Sequence, residues 1–125
     1  MAVIAIQRGD IVLVDLQGAI NGEKKNDASI NARPCIVVQN DIGNNVSPLT
    51  IVAPLTDSRQ FKNFPVQVQV TAAELGADKD SVVECGHIRT IDRDQRITKH
   101  LGRLAPAAMT RVDTALKASL ALGEA

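Results

Sequence analysis

Tryptophan and tyrosine are absent from this chain of 125 residues and phenylalanine occurs only twice, so neither its core nor a ligand site can rest on aromatic surface. Burial must come from aliphatic side chains, and hydrophobic residues make up 45% of the sequence, enough for one ordered core. Excess charge of either sign is missing as well. The 14 Lys and Arg balance 14 Asp and Glu, which excludes a global positive field and leaves room only for a local nucleic-acid patch. No run approaches the roughly 20 apolar residues that span a bilayer, and the opening Met1 to Ile6 segment, followed by Gln7-Arg8-Gly9-Asp10, lacks a basic n-region. A cytoplasmic protein without membrane contact is expected. The two cysteines, Cys35 and Cys85, sit in strand-like runs at no metal-type spacing, which favours buried thiols over a disulfide and gives no expectation of a metal or other cofactor.

What is present reads as one domain over residues 1–125, because chains of this size usually enclose a single core. Asp10 to Leu16 is a β-branched run behind Gly9 and predicts the first strand. Residues 17–32 are polar and aperiodic and predict a mobile loop. Cys35–Gln39 and Leu49–Leu55 predict a hairpin across an Asn/Asp/Gly-rich turn. From Pro65 to Val70 the alternation puts Val66, Val68 and Val70 on one face and Gln67 and Gln69 on the other. Thr71 and Glu74 have capping-box spacing with Gly76 close behind, which allows one helical turn. Ser81–Ile91 predicts a strand bent at Gly86. Pro106 opens a segment with Met109, Val112, Leu116 and Leu120 at helical spacing and Gly123 beyond it. Five or six short strands with a terminal helix imply a curled antiparallel sheet or small barrel, covered on one side by the helix.

Several short motifs occur in a fixed order: Arg8-Gly9-Asp10, Arg33-Pro34 before an apolar strand, Gln39-Asn40-Asp41 with Gly43-Asn44, Ser47-Pro48, Pro54-Leu55-Thr56, and Ile88-Arg89-Thr90-Ile91-Asp92. Together they resemble the MazF/PemK family of toxin endoribonucleases, from about Arg8 to Leu122. The resemblance implies a mainly β fold with a C-terminal helix, an SH3-like small barrel of the CcdB/PemK type. It also implies a homodimer, sequence-specific and metal-independent cleavage of single-stranded RNA, and neutralisation by a cognate antitoxin. Carried over by motif, the catalytic pair of the MazF branch is Arg33 and Thr56.

These residue types suit that chemistry. RNA carries its own nucleophile in the 2′-hydroxyl, whose attack on the adjacent phosphorus leaves a 2′,3′-cyclic phosphate and a 5′-hydroxyl. The protein must stabilise charge on the phosphorane and manage two protons. Arg33 can clamp phosphate oxygens through two parallel hydrogen bonds, and as a permanent cation it is a poor base. The Thr56 hydroxyl can donate to a nonbridging oxygen or relay a proton. The expected RNA contacts are Ser58, Glu84, His87, Arg89, Lys24, Lys25 and Phe61. For each of them a bland reading stands beside the functional one. Lys24 and Lys25 suit phosphate or a solvated loop. Phe61 suits base stacking or ordinary exposure, whereas Phe64, before Pro65, is expected in the core. The run holding Arg89, Arg93, Arg96, Lys99 and Arg103 suits a basic patch or intramolecular pairing with nearby acids. His100 is expected to be structural.

The chain also departs from the pattern. Gly86 and Glu84 stand where the PemK branch has an Asp and an Arg, and MazF relatives often carry an acid at the Gly86 position, so Glu84 or His87 is left to supply a missing contact. Two other readings share the fold: a CcdB-like toxin that binds DNA gyrase and cuts nothing, and an inactive relative that only binds antitoxin.

Overall fold

The computed structural model describes residues 5–16 and 32–123; residues 17–31 of the expected loop, with Lys24 and Lys25, lie outside the described residues, and its last residue, Ala32, already belongs to a strand. Among them the order is β1 (Asp10–Asp15), β2 (Ala32–Val37), α1 (Asp41–Val46), β3 (Leu49–Asp57), β4 (Gln67–Val70), α2 (Ala72–Leu75), β5 (Ser81–Glu84), β6 (Arg89–Asp92), α3 (Arg93–Arg96), β7 (Ile97–Arg103) and α4 (Pro106–Leu120). The strands pair antiparallel in the order β4-β5-β3-β2-β1-β7, with β6 also on β3. This is the expected curled antiparallel sheet with a terminal helix. No helix among the described residues is long and apolar enough to cross a membrane.

Alternation along β1, β2 and β3 sends neighbouring residues into two different cores. Ile11, Ile36, Ala53 and Leu55 join Val68, Val70 and Val83 under α4, which contributes Ala108, Val112 and Ala115. Val12, Val14, Cys35, Val37 and Val52 pack on the opposite face with Ile91 and Ile97. Two small alanines flanking Val112 allow the helix to sit close to the sheet. Met109 and Leu116 pack only at its margin, and Leu120 is exposed. The helix ends at Leu120, two residues earlier than Gly123 suggests, with Ala121 in the left-handed region as its cap.

Three further elements differ from the sequence reading. The expected hairpin turn is the short helix α1, because Asn40 accepts a hydrogen bond from the Gly43 N–H (2.8 Å) as its N-cap. Asn44 inside it is buried and accepts from Thr50 Oγ1 (2.7 Å) while donating to the Gln39 carbonyl (3.0 Å). The Ser81–Ile91 run is two strands rather than one bent strand. The sequence also hides β7, whose exposed edge face is charged and whose only buried residue is Ile97.

The Arg8-Gly9-Asp10 motif joins β1 to β7 and α4. The buried Asp10 carboxylate accepts from the Gln7 N–H (2.8 Å), Arg103 Nη1 (2.9 Å) and His100 Nε2 (3.2 Å). Arg8 donates to the Val38 carbonyl (2.8 Å) and pairs with Asp113 of α4 (2.8 Å). Gly9, at φ +95°, donates to the Val37 carbonyl (2.8 Å) and accepts from the Leu104 N–H (2.9 Å). A side chain there would be strained by the backbone and would touch Met109 (3.4 Å).

Gly9→Ala is therefore expected to lower the unfolding free energy by about 1–3 kcal/mol, seen as a lower urea midpoint at unchanged slope. Cys35 and Cys85 are buried free thiols, and burial pushes each up to about 12. They should resist iodoacetamide at about pH 8 in the native protein and react in denaturant. With folded values above the ordinary 9.0, their contribution is full below about pH 9 and is lost as pH rises toward 12. A urea titration repeated up the alkaline range reads that decline.

Candidate functional site

Two prolines shape the site. Along β2 and β3, Cys35 lies opposite Pro54, Ile36 opposite Ala53 and Val37 opposite Val52. The next partner for Leu55 in that register is Pro34, which has no N–H to donate, and the ladder stops. The Leu55 carbonyl instead accepts from Arg33 Nη2 at 2.5 Å. Thr56, the residue after Leu55 on β3, lines the same groove as Arg33. Arg33 is only 8% exposed. Loss of hydration lowers its pKa from the ordinary value, yet a guanidinium remains cationic at neutral pH.

On its other edge β3 pairs first with β6 (Leu49 to Val52) and then with β5 (Leu55 to Asp57). Pro54 lies in the gap. There the segment between β5 and β6 leaves the ladder and turns through Cys85, Gly86 and His87, with the His87 N–H donating to the Glu84 carbonyl (3.1 Å). That excursion puts an exposed His87 on a groove of about 600 Å³. Arg33, Pro54, Thr56, Asp57, Glu84 and Gln67 of the strands line it together with Arg59, Gln60, Lys62 and Phe64 of the β3–β4 connection.

Polar contacts order that connection. Gln67 Oε1 accepts from the Lys62 N–H (2.8 Å), and its Nε2 donates to the Gln60 carbonyl (3.1 Å) and to Glu84 Oε2 (3.1 Å). Asp57 caps the Arg59 N–H (2.9 Å) and pairs with the Arg59 guanidinium (3.0 Å). The groove thus mixes the cations Arg33, Arg59 and Lys62 with the carboxylates Asp57 and Glu84. Among the described residues no three His, Cys, Asp or Glu side chains gather into a metal-binding group.

The structure brings together Arg33, Thr56, Glu84 and His87. It leaves Ser58 at the start of a 3₁₀ turn beside the groove, its carbonyl accepting from the Phe61 N–H (3.1 Å). Arg89 pairs opposite Val52 on β6, beyond the groove but close enough to bear on the Cys35 thiol. Phe61 is half-buried and lines a separate depression beside Arg111 and Ala115. The aromatic in the groove is Phe64, 56% exposed rather than core, because the Gln67 braces hold the connection so that its two phenylalanines serve different surfaces. Most of the basic run is internally committed. Arg93 donates to the Asn44 carbonyl, Arg96 to the Asp15 carbonyl (3.2 Å) and Arg103 to Asp10; His100 also pairs with Asp10. Gln67, Arg59, Lys62 and Phe64 were absent from the sequence-derived site. The alternation that put Gln67 on the polar face was the one signal for any of them. At Gly86 an added Cβ would stand 3.2 Å from Val66 Cγ2, so an acid there would have to displace Val66.

The model of PemK-like, MazF-like toxins of type II toxin-antitoxin systems matches residues 7–120. The chain is 40% identical over 117 residues to Endoribonuclease EndoA of Bacillus subtilis (strain 168), covering 94% of this chain and 96% of that protein. It is 38% identical over 117 residues to Endoribonuclease MazF of Staphylococcus epidermidis, covering 94% and 92%. Among solved structures, a mycobacterial endoribonuclease in complex with its cognate antitoxin matches with a TM-score of 0.75 at 24% identity, over 97% of this chain and 100% of that one. MazF from Deinococcus radiodurans matches with a TM-score of 0.73 at 21% identity, over 95% and 99%. The structural likenesses speak to the fold, and the family match and the relatives near 40% identity speak to descent. With nearly its whole length matched, the chain belongs to the PemK-like, MazF-like toxins of type II toxin-antitoxin systems.

Proposed function

We propose that this MazF-type endoribonuclease toxin cuts single-stranded RNA at short sequences without a metal, by attack of the 2′-hydroxyl on the adjacent phosphorus, and that a cognate antitoxin neutralises it. The observation that carries this reading is a buried guanidinium, Arg33, fixed by the backbone carbonyl of Leu55 and lining one open groove together with a hydroxyl, that of the next residue, Thr56. A cation tethered in this way loses little freedom when it engages phosphate, so its stabilisation of the phosphorane is preorganised. Arg33 clamps the nonbridging oxygens, and the proton released by the 2′-hydroxyl passes by way of the phosphate oxygens and the Thr56 hydroxyl to the departing 5′-oxygen, so that no net proton is gained or lost. Thr56, β-branched and held in a strand, donates a hydrogen bond to the same phosphate. Antitoxin binding is a property of the mycobacterial and Deinococcus relatives seen in complex, and it comes to this chain with the family.

A homodimer completes the reading. Ile42 and Val46 are one helical turn apart on α1 and 79% and 78% exposed, with Leu49 at 44% close by in sequence, an apolar surface of the kind that protein interfaces cover. Val46→Glu should then convert a dimer into a monomer in sedimentation velocity, and an unchanged sedimentation coefficient would remove this face from the interface.

The catalytic assignment is tested by incubating antitoxin-free protein with a long single-stranded RNA in excess EDTA. Discrete cuts are expected. Arg33→Ala should slow them by at least about 10²–10³-fold with the thermal melt showing a folded protein, and Arg33→Lys should recover only part of the rate because a point charge replaces a bidentate fork. Near-normal cutting by folded Arg33→Ala would remove Arg33 from the mechanism.

A further inference from the structure

We propose that Glu84 reads a guanine base beside the cleaved phosphate and that Gln67 is the residue that positions it. This rests on the ribonuclease reading above and adds the chemistry of one base-recognition site.

Glu84 shares the groove with Arg33 and Thr56 but not their place in it. Thr56 pairs with Val82 on β5, and Glu84 lies two residues further along that strand. With strands about 4.8 Å apart and a rise of about 3.4 Å per residue, the backbone positions of Thr56 and Glu84 are roughly 8 Å apart. Arg33 is one strand more distant. A carboxylate so placed suits a base next to the reacting phosphate better than the phosphate itself, which it would repel.

Its orientation is fixed from behind. Gln67, directly opposite on β4, donates to Glu84 Oε2 (3.1 Å). The same amide is held by the Lys62 N–H and the Gln60 carbonyl, so its donor direction is set by the β3–β4 connection rather than by solvent. The neighbouring place for an acid, Gly86, carries none, and a Cβ there would stand 3.2 Å from Val66 Cγ2.

An ionised carboxylate only accepts hydrogen bonds. Guanine alone presents two adjacent donors, N1–H and the N2 amino group, on its Watson–Crick edge. Cytosine and adenine each set one amino group beside an acceptor nitrogen, and uracil sets one N–H between two carbonyls; each would oppose an acceptor to one carboxylate oxygen. A pinned carboxylate therefore discriminates for guanine by about 5–150-fold, the range of a good bidentate base contact. Single-stranded RNA exposes that edge.

The test sequences two randomised RNA pools handled by the wild type, Glu84→Gln, Gln67→Leu and the double variant: one pool cut in EDTA, and one uncleavable 2′-O-methyl pool selected by binding. The wild type should show guanine at one fixed position in both. Glu84→Gln should lose at least about fivefold of that preference and keep the others. Gln67→Leu should weaken the same position alone, and the double variant should be no worse than Glu84→Gln, which a general loss of fold would not produce. Replacing that guanosine by inosine, which lacks the N2 amino group, should weaken wild-type binding about tenfold and leave Glu84→Gln unaffected. An unchanged consensus in folded Glu84→Gln overturns the proposal. So does loss of cutting at every sequence with the bound consensus intact, which would make Glu84 a catalytic residue. If the wild type cuts nothing, the ribonuclease reading fails, and the binding pool still decides the role of Glu84.

Discussion

The site depends on one backbone carbonyl without a backbone donor. Pro34 cannot donate to Leu55, and Arg33, its neighbour in sequence, fills the vacancy with its guanidinium. A long cationic side chain that would ordinarily extend into solvent is folded back against the sheet and almost fully buried. Its desolvation is offset by a hydrogen bond to a carbonyl that would otherwise be left unsatisfied. The Arg-Pro dipeptide is thus a single device: the proline removes a donor and the arginine supplies one. Pro54 lies in a second break, on the opposite edge of β3 between the residues paired with β6 and those paired with β5, and His87 of the turn that joins those two strands lines the groove.

The ordered motifs divide into two groups by what they touch. Arg8-Gly9-Asp10 ties the N-terminal turn to β7 and α4. Asn40 and Asn44 organise α1 and its junction with β3. None of these lines the groove. Arg33 and the Pro54-Leu55-Thr56 stretch of β3 do. A sequence signature for the family therefore reports the scaffold at least as strongly as it reports the chemistry. The scaffold's contribution is to hold four adjacent strands in register, so that residues from β2, β3, β5 and β4 meet in one groove.

How much of this is visible in the sequence follows from the range of the interactions. Val68 and Val70 alternating with Gln69, the Thr71–Glu74 capping box and the Pro106 helix start are local, and each stands where its pattern places it. The β7 strand is not local. Its stability comes from pairing with β1, some 90 residues earlier, and its own residues look like a solvated basic run. Phe64 and Phe61 could not be sorted from composition, because a glutamine later in the chain decides how their loop is held. The same applies to Glu84: its place in the groove follows from register with β3 and β4, which no short window of sequence contains.

The central claim is that the protein supplies a preorganised cation and hydroxyl while the RNA supplies the nucleophile. The most direct measurement uses two RNAs that are identical except that one carries a 2′-deoxy nucleotide on the 5′ side of the mapped cut. Cleavage of the parent should leave a 2′,3′-cyclic phosphate and a 5′-hydroxyl, and the deoxy version should remain intact at that bond while binding with similar affinity. Cutting that persists at the deoxy position would mean that water or a protein group attacks the phosphorus, and the role given to Arg33 and Thr56 would have to be rebuilt.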